Sequence, residues 1–594
     1  MTVALVGAGP GVEAVEAALG DADRSVVRVE PDEIDGTRDL AVVVDRAGTR
    51  TFQLANERAL DAGMPWISVE LGGVGGHSLA DAAVACFGPD GGCYECLVRR
   101  VDATVSDGDD PVSAPEDSDA ASEPGDPGSA SHSGDPTARL AGALAGNRAV
   151  ETLAADDPDT PGTVVELPYA ERTLLPVPGC DCGGSRDRTL DREHRDRSVD
   201  AALDRAERAV DDRLGVVTTV GEAESYPAPY YLARLADTAS FADATAPRQA
   251  AGVDAGWDAA FMKALGEGLE RYCAGVWRRG EFVRGSVDSV GNAVPPSSFV
   301  RPDGWASEDG QGDGIDASER PWVPGEALAT GDSVHLPAEL VQYPPPERRV
   351  RPAVTTGLGL GNSTVGALLS GLYEVIERDA TTVAWYSTYE PLELAVEDDT
   401  YETLAARAGA DGLDATALLL TQDIDVPVVA VAVRRESWPK LALGTAAHLD
   451  PVRAARKALA EAVQNWVELR GMGAEADSAD GAVGRYADQP DAAERFVDHD
   501  QRVPAASVGP EDVQAGRAHL DALVERVTDT GPTPYAARTT TRDVAGLGFE
   551  AVRVLVPTAQ PLFFDEPYFG ERARSVPESL GFEPALDRDH HPYP

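Results

Sequence analysis

The chain has 594 residues, too many for a single hydrophobic core, and its 101 acidic residues against 51 basic ones give a net charge of −50. Such an acidic surface argues against a nucleic-acid partner, and the lack of an apolar run of about 18 residues argues against a membrane span. The first residues, MTVALVGAGPG, have neither the basic region nor the cleavage site of a secretory signal, so we expect a cytoplasmic protein.

Lysine is rare in this sequence. The lysines are Lys263, Lys440 and Lys457, and arginine supplies every other basic residue. Together with the abundant Asp, Ala, Gly and Val, this composition resembles that of proteins from salt-in halophiles, in which molar salt screens like charges over about 3 Å. The acidity therefore reports on the solvent and does not identify a partner.

The first 100 residues predict an α/β unit. The expected elements are, in chain order, a strand at 3–6, a glycine turn at 7–11, a helix at 12–19, and strands at 26–29 and 40–44. This order predicts the opening of a Rossmann-type unit. Position 12 is valine where the dinucleotide fingerprint requires glycine, so we expect a structural unit without a bound nucleotide.

Composition divides the rest of the chain. Residues 104–136 are dominated by Gly, Ser, Pro and Asp and have almost nothing to bury, so we expect a disordered acidic linker. A helix at 137–154 and a strand at 163–167 follow. The expected organisation is residues 1–103 as the first domain, 104–136 as the linker, 137–185 as the remainder of the first domain, 186–213 as a charged connector and 214–594 as the larger, catalytic domain.

Four of the six cysteines form two close pairs, Cys93 with Cys96 and Cys180 with Cys182. A cytosolic chain rarely holds disulfides, and two pairs on turns fit one structural zinc with four thiolate ligands. The second pair is more closely spaced than usual ligand pairs, so unliganded thiols and a redox pair remain alternatives. The other two cysteines lie in apolar contexts and are expected in the core.

The second half of the chain contains the pattern Glu-x-x-Glu-Arg twice. The copies are Glu267, Glu270 and Arg271, and Glu374, Glu377 and Arg378. In so acidic a chain the pattern can arise by chance, and Glu267 and Arg271 have the spacing of a helix-surface ion pair. The flanking residues are unusually apolar, however, which predicts partly buried carboxylates that need a counter-charge. Mg²⁺ prefers such oxygen ligands and typically comes with nucleotide phosphate.

A third helical stretch, residues 453–470, contains Glu461 and Gln464, which are again three positions apart and so share one helix face. Its arginines could contact phosphates, or they could remain solvated.

These stretches together resemble the nucleotide-binding motifs of the YcaO superfamily. The motifs are Ser370-x-x-x-Glu374-x-x-Glu377, Glu267-x-x-Glu270-Arg271 and Glu461-x-x-Gln464. The chain also ends in His591-Pro592-Tyr593-Pro594, which is similar to the Pro-x-Pro-x-Pro tail of family members that make azolines. The resemblance covers about residues 214–594.

The resemblance implies an α/β domain that binds ATP and Mg²⁺ without a P-loop. The residues it implies for holding the nucleotide and its cations are Lys263, Glu267, Glu270, Arg271, Asn362, Ser370, Glu374, Glu377, Glu461 and Gln464. It also implies that Pro592 and Pro594 serve catalysis, by ordering a group of the tail near the substrate amide.

Three positions depart from the family pattern. Lys263 stands where the family usually has serine, Val253 where it often has a glycine-flanked lysine, and His590 where the first proline of the tail is expected. We expect Lys263 to supply the phosphate contact of the missing lysine. The alternative is an ion pair between Lys263 and Glu267, four residues further along the helix.

The N-terminal half resembles the ThiF-like domain that accompanies YcaO domains in cyclodehydratases. The stretches that carry this resemblance are MPWISVELGG, CFGPDGGCYECLVRR and PVPGCDCGG. Such domains bind a structural zinc through two Cys pairs and help to deliver the peptide. The residues of active adenylating members are not seen after Glu30, so we expect no adenylation. No winged-helix peptide clamp precedes the first strand, so we expect a separate leader-binding partner.

The expected protein is thus a haloarchaeal type of YcaO enzyme, with an N-terminal Rossmann or ThiF-like zinc domain and a larger α/β ATP-binding domain. The implied reaction is ATP-dependent conversion of Cys, Ser or Thr in a ribosomally made peptide into azolines. Thioamide formation with external sulfide is the alternative chemistry. A non-catalytic peptide-binding accessory, which Val253 and His590 favour, and a ThiF-type adenylating enzyme, which the missing Rossmann glycine opposes, are the alternative functions. A homodimer is expected.

Overall fold

The protein is described here from a computed structural model. The described residues are 1–88, 91–105, 134–154, 162–168, 170–303, 305, 315–348, 350–473, 482–488, 491–498 and 501–593. The chain forms two compact units: the first comprises Met1–Arg186, Arg208–Thr219 and Ala236–Ala242, and the second comprises Asp187–Glu207, Val220–Leu235 and Asp243–Pro594. None of the helices in the described residues is long and apolar enough to cross a membrane.

The first unit alternates strands and helices. Its elements are β1 (Thr2–Val6), α1 (Pro10–Asp21), β2 (Ser25–Arg28), β3 (Leu40–Arg46), α2 (Arg50–Ala62), β4 (Trp66–Leu71), β5 (Ala82–Phe87), α3 (Tyr94–Val105), α4 (Asp135–Ala154), β6 (Thr163–Leu167) and β7 (Ala170–Thr173). They build one seven-stranded sheet in the order β2-β1-β3-β4-β5-β6-β7. The first four strands are parallel, and β5 to β7 extend the sheet antiparallel.

Burial explains why these segments are strands. The apolar runs of β1 and β3 are almost completely buried, as expected for parallel strands that are covered on both faces. Helices α1 and α4 approach each other closely because Gly142 has no side chain: a Cβ at that position would lie 2.0 Å from the carbonyl oxygen of Gly11. The first three strands are parallel and lie in the order β2-β1-β3.

The ends of the expected linker are helical. Helix α3 extends to Val105 and α4 begins at Asp135, so residues 104–105 and 135–136 of the predicted range are helical. Residues 106–133, which make up the rest of that range, lie outside the described residues.

Beyond Arg186 the chain contains a longer set of elements. These are α5 (Val199–Ala206), β8 (Val217–Glu224), β9 (Tyr230–Leu235), β10 (Gln249–Val253), α6 (Trp257–Gly275), β11 (Val283–Gly285), β12 (Arg320–Ala327), β13 (Ser333–Pro337), α7 (Ala338–Val341), β14 (Leu358–Gly361), α8 (Thr364–Trp385), β15 (Leu392–Ala395), α9 (Asp399–Ala410), β16 (Asp414–Leu419), β17 (Val428–Arg434), β18 (Leu441–Ala447), α10 (Pro451–Met472), α11 (Ala482–Tyr486), α12 (Asp491–Val497), β19 (Arg502–Pro504), α13 (Gly516–Asp529), β20 (Tyr535–Arg538), α14 (Arg542–Gly546), β21 (Glu550–Leu555) and α15 (Arg572–Leu580).

Three sheets organise these elements. One has the order β10-β9-β8, a second has the order β11-β12-β20-β21-β14 with β13 paired to β12, and a third has the order β18-β17-β16-β15-β19. Helix α8 is buried along most of its length and packs in the largest core of the unit, whereas α10 packs on β17 and β18 in a second core. The expected mixed α/β class is confirmed for both units.

Three strand–helix pairs share an unusually close contact: β10 with α6, β14 with α8, and β18 with α10. In each pair a glycine of the strand faces the helix backbone. A Cβ at Gly252, Gly359 or Gly444 would lie 2.2 Å from a backbone atom of the helix, which real Cβ atoms do not tolerate. Glycine at these positions therefore allows each helix to lie directly against its strand, and these helices carry the three acidic motifs.

We expect Gly444→Ala to destabilise the second unit by about 1–3 kcal/mol, because the added methyl group must push α10 away from β18. The matched control is Gly471→Ala near the end of the same helix, where a Cβ would meet no atom within 4 Å. Thermal unfolding in high KCl measures both. Equal melting temperatures for the two variants would contradict the close-contact interpretation.

Candidate functional site

A cleft of about 550 Å³ in the second unit draws its walls from all three strand–helix pairs and from α5. Eight of the ten residues predicted to hold a nucleotide line it: Lys263, Glu267, Glu270, Asn362, Ser370, Glu377, Glu461 and Gln464. The other two, Arg271 and Glu374, are not among the lining residues. The three motifs, which are far apart in sequence, thus meet in one place.

One carboxylate of each motif is held by the backbone at its own strand. The hydrogen bonds run from Ala251 N to Glu267 (2.7 Å), from Gly357 N to Glu374 (3.0 Å) and from Thr445 N to Glu461 (3.1 Å). Each bond is possible because the adjacent strand glycine lets the helix lie close. These three hydrogen bonds orient three carboxylates, and none of the bonds comes from a cationic side chain.

The two remaining carboxylates differ in their partners. Glu377 accepts a hydrogen bond from Thr445 Oγ1 at 2.6 Å and lies 3.5 Å from Arg378. Glu270 has no hydrogen-bond donor among the residues that the structure describes. Glu270 is therefore the carboxylate most in need of a counter-charge from outside the chain.

Burial and mutual repulsion raise the pKa values of Glu270, Glu374 and Glu461. Burial first, and then the neighbouring Glu374 and Glu267, raise the pKa of Glu270 to about 8. Burial, with Glu377 nearby, likewise raises the pKa of Glu374 to about 7 and that of Glu461 to about 7. Such a cluster holds protons near neutral pH unless divalent cations replace them.

Lys263 and Arg271, the basic residues of the first motif, pair with different carboxylates. Lys263 donates to the carbonyl oxygen of Val253 at 2.9 Å and pairs with Asp254 at 2.7 Å. The alternative pairing with Glu267 is not present, because Arg271 occupies that carboxylate at 2.5 Å. Lys263 therefore holds its ammonium group beside the position where the family often has a lysine, as its contact with Val253 shows.

Polar and apolar groups complete the cleft. The side-chain oxygen of Asn362 is buried and has no hydrogen-bond partner among the residues that the structure describes, and this atom fits a site that binds a polar ligand. Gln464 donates to Glu468 at 2.9 Å, and Tyr230 donates to the same carboxylate oxygen at 2.8 Å. Met262 and Phe549 contribute apolar surface to the walls.

The predicted charged connector provides one wall of the cleft. Part of it, which we call the strap, is residues 187–207; its α5 residues Val199 and Ala202 line the cleft. Three arginines of the strap donate to backbone carbonyl oxygens elsewhere in the second unit: Arg188 to Arg538 at 3.0 Å, Arg192 to Leu328 at 3.0 Å and Arg197 to Gly548 at 3.4 Å.

The C-terminal tail is buried beside the end of α8. Trp385 Nε1 donates to the carbonyl oxygen of Asp589 at 2.9 Å, and His591 Nε2 lies 2.6 Å from the carbonyl oxygen of Phe563. Burial lowers the pKa of His591 to about 3, so this ring is neutral. Pro592 and Tyr593 are buried with it, whereas Pro594 lies outside the described residues.

Arg378 connects the tail to the acidic cluster. Its guanidinium group lies 3.5 Å from Glu377 and interacts electrostatically with Glu461, Glu374 and Tyr593. Pro592 is not among the residues that line the cleft.

The four cysteines of the first unit form a separate cluster. Their sulfur atoms all lie within 4.8 Å of one another. The distance from Cys93 to Cys180 is 3.6 Å and that from Cys96 to Cys182 is 3.5 Å. Sulfurs about 3.8 Å apart are what four Zn–S bonds of about 2.3 Å require in a tetrahedron, so these residues fit a closed zinc site.

Residues 251–560, more than half of the chain, match the family of YcaO cyclodehydratases, which bind ATP and Mg²⁺. The chain belongs to the YcaO family. The cleft lies within the matched range except for its α5 wall, and the orphaned Asn362 oxygen and the carboxylate cluster fit this pair of ligands. The family assignment confirms the prediction of an ATP-dependent enzyme of the YcaO class and of ATP and Mg²⁺ as its cofactors.

Relatives of this YcaO protein include an uncharacterized protein of Methanothermobacter thermautotrophicus, which is 28% identical over 274 residues, or 43% of this chain and 70% of the relative. A protein encoded 3′ of tfuA in Rhizobium leguminosarum bv. trifolii is 29% identical over 171 residues, and the match spans only 26% of this chain and 40% of that relative.

Two solved structures share the fold. A heterocyclase in complex with substrate and cofactor matches with a TM-score of 0.70 and 20% identity, covering 98% of this chain and 83% of the other. The heterocyclase TruD matches with a TM-score of 0.62 and 19% identity, covering 98% and 82%. At these identities the likeness establishes the fold alone.

Sequence reasoning did not assign three contributors to the YcaO site: Lys457, Thr445 and the strap. The rarity of lysine was the available signal for Lys457. Thr445 is a strand residue, and nothing in its local sequence marks it as the partner of both Glu377 and Glu461. The strap residues were assigned to a connector because of their charge.

We expect the stability of the ligand-free protein to fall as the pH rises, and Glu270→Gln to reduce this fall. The pKa of Glu270, about 8 when folded against an ordinary 4.5, means that the folded state keeps a proton that the unfolded chain loses. The stability from this proton is complete below about pH 4.5 and is lost as the pH rises through 8. Glu270→Gln should therefore raise the melting temperature by about 2 °C or more at pH 9 and change it little at pH 5.

Melting curves with a chelator in high KCl measure this difference. Glu525→Gln, at an exposed position on α13, is the control for removing one acidic charge. An equal effect of Glu270→Gln at both pH values would contradict the assignment of a raised pKa.

Proposed function

We propose that the protein activates a backbone amide of a ribosomally made peptide with ATP and converts Cys, Ser or Thr residues into azolines. The observation that carries this proposal is the cluster of five carboxylates at one cleft, in which the pKa values of Glu270, Glu374 and Glu461 are raised to about 7 or 8, with lysine side chains in the same cleft. Carboxylates so close together repel one another unless divalent cations neutralise them. The lysines can bind the phosphate groups that accompany such cations.

In the proposed reaction, the thiol or hydroxyl group gives up its proton to solvent, attacks the carbon of the preceding amide and forms a C–S or C–O bond. The amide oxygen, now an oxyanion, takes the terminal phosphoryl group of ATP, and ADP leaves. Loss of phosphate, together with the amide proton, forms the C=N bond of the azoline. The amide oxygen thus departs in the phosphate, and the ring product is lighter than the peptide by one water.

We assign the residues by chemistry. Glu267, Glu270, Glu374, Glu377 and Glu461 hold Mg²⁺, which neutralises phosphate charge when it is bound. Lys263 contacts phosphate, as its place beside Val253 supports. Asn362, Ser370 and Gln464 contribute polar contacts to the nucleotide. Arg271 acts through Glu267, because its guanidinium group pairs with that carboxylate outside the cleft lining.

The apolar part of the cleft suits the adenine ring. Val199 and Ala202 of the strap, with Met262 and Phe549, offer a hydrophobic wall to a flat base. In this proposal the tail, through Pro592 and Pro594, serves catalysis by ordering a backbone or carboxylate group near the substrate amide.

The departure at Val253 does not require loss of catalysis in this proposal, because the ammonium group of Lys263 lies 2.9 Å from the carbonyl oxygen of that residue. We therefore favour an active enzyme over a non-catalytic accessory protein. Thioamide formation would use the same activated oxygen with sulfide as the nucleophile.

The test is to incubate the purified protein in high KCl with Mg²⁺–ATP and a set of Cys-, Ser- and Thr-containing peptides. We expect peptide-stimulated ADP release and a product lighter by one water for each ring in mass spectrometry. A product with sulfur in place of oxygen, formed only with added sulfide, would establish thioamide chemistry instead. Absence of any Mg²⁺-dependent ATP binding would overturn the proposed function.

We expect Glu377→Gln to abolish the ATP-induced rise in melting temperature while keeping the ligand-free stability. Removing one charge relieves repulsion in the cluster, but it also removes a cation ligand. A 100-fold loss of affinity removes about 2.7 kcal/mol of ligand stabilisation at saturating ATP. Glu525→Gln is again the control. A full ATP-induced shift in Glu377→Gln would argue against the assigned site.

We also propose that the first unit is a ThiF-like domain with a structural zinc, that the protein comes from a haloarchaeal type of cell, and that it acts as a homodimer with a separate leader-binding partner. The strand order and the geometry of the four sulfur atoms support the first of these proposals. The division of the chain into domains at 1–103, 137–185 and 214–594 likewise remains a proposal.

Elemental analysis tests the zinc proposal. We expect one zinc per chain, lost in Cys93→Ser with a lower melting temperature of the first unit, because the closed site contributes to folding. The ATP response of the second unit should persist. Cys86→Ser, at a buried cysteine outside the cluster, should retain the metal. Zinc-free wild-type protein would refute the proposal.

A further inference from the structure

Thr445 is a buried polar residue on an otherwise apolar face of β18. Leu441, Leu443 and Ala447, which alternate with it along the strand, belong to the same core as α8. Thr445 itself is only 2% exposed. Valine has nearly the same shape, and burying a hydroxyl group costs free energy unless partners inside the protein replace its hydrogen bonds to water. The partners of this hydroxyl group therefore show why threonine stands here.

The two faces of β18 are covered by different helices. Gly444 lies against α10, where a Cβ would be 2.2 Å from the backbone nitrogen of Ala462, and Ala442 and Ala446 belong to the core of that helix. Successive side chains of a strand point to opposite faces, so the side chain of Thr445 points toward α8. Among the described strands β18 is the last of its sheet, which leaves the N–H groups on its free side available to a helix.

Thr445 contacts one carboxylate from each of these helices. Its Oγ1 donates to Oε1 of Glu377 at 2.6 Å, and its backbone N–H donates to Oε2 of Glu461 at 3.1 Å. The direction of the hydroxyl proton is fixed, because Arg378 donates to the same Oγ1 at 3.4 Å. Glu377 and Glu461 both line the cleft. The second oxygen of each accepts no hydrogen bond from the residues that the structure describes.

Glu377 and Glu461 repel each other. Burial first, and then the charge of the nearby Glu377, raise the pKa of Glu461 to about 7. Two such side chains would turn apart if they were free to rotate. Glu267 and Glu374 each have a backbone donor of their own, whereas Thr445 holds two carboxylates that come from different motifs.

We infer that Thr445 is a positioning residue that fixes the distance between Glu377 and Glu461, so that the second oxygen of each is available to divalent cations in the cleft. The inference rests on the proposed function and adds to it the residue that joins two of the acidic motifs. Thr445 acts through the two carboxylates, and no bond to it forms or breaks. A small change in the spacing of two carboxylates weakens the binding of Mg²⁺, which demands near-ideal octahedral geometry.

The experiment measures the ATP-induced rise in melting temperature of the full-length protein in high KCl, while free Mg²⁺ is varied at a fixed ATP concentration. Thr445→Val and Thr445→Ala remove the hydroxyl group but keep the backbone N–H, and Thr445→Ser keeps both. We expect Thr445→Val and Thr445→Ala to need about 10-fold more Mg²⁺ for half of the full rise, as for the loss of one hydrogen bond to a charged group. The full rise should return at saturating Mg²⁺, and Thr445→Ser should stay close to wild type.

The matched control is Thr381→Val. Thr381 is also buried, and its hydroxyl group donates to the backbone carbonyl oxygen of Glu377 at 2.8 Å and not to the carboxylate. This variant should keep the Mg²⁺ requirement of wild type, whatever it does to the melting temperature of the ligand-free protein.

The outcomes separate this inference from the proposed function. A wild-type protein whose melting temperature does not respond to Mg²⁺–ATP overturns the proposed function. A wild-type response together with an unchanged Mg²⁺ requirement in Thr445→Val and Thr445→Ala overturns only the inference. An equal increase of the Mg²⁺ requirement in Thr381→Val, or a smaller full rise in Thr445→Val at saturating Mg²⁺, would show a purely structural role and would overturn the inference as well.

Discussion

The site depends on how closely three helices lie against three strands. Without a side chain at Gly252, Gly359 and Gly444, the helix backbone and the strand backbone come into direct contact. The backbone N–H groups next to these contacts can then hold one carboxylate of each acidic motif. Any residue larger than glycine would move the helix outward and leave a carboxylate without its donor.

This arrangement explains how five glutamate carboxylates can lie close together although some of them form no salt bridge. Backbone N–H groups orient three glutamates but neutralise none of them, so the cluster retains its demand for cations. Arg378 lies 3.5 Å from Glu377, and Lys263 and Lys457 line the same cleft. An acidic cluster with cationic side chains nearby matches a ligand that brings both metal ions and phosphates.

The strands and the unusual acidic motifs can be predicted from the sequence, whereas the direction of each side chain in the site cannot. Buried apolar runs such as those of β1 and β3 predict strands, and apolar neighbours of Glu270 and Glu377 predicted that these acids are not ordinary surface charges. The spacing of a motif fixes a helix face but not the direction of each side chain. The nucleotide contact of Arg271 therefore stays a prediction: its guanidinium group pairs with Glu267, and Arg271 is not among the residues that line the cleft. Lys457 was missed because one lysine on an amphipathic helix is normally solvated.

The strap has a consequence for how this protein can be divided. The similarity to the family begins at residue 251, and the charge pattern suggests a boundary at 214, yet residues 187–207 form a wall of the cleft. Its arginines are hydrogen-bonded to main-chain oxygens, which a concentrated electrolyte weakens less than it weakens exposed ion pairs. A fragment cut at either of those positions would lack this wall and open the cleft to water. A fragment that keeps the whole cleft must therefore begin before the strap, and not at residue 251, where the similarity to the family begins.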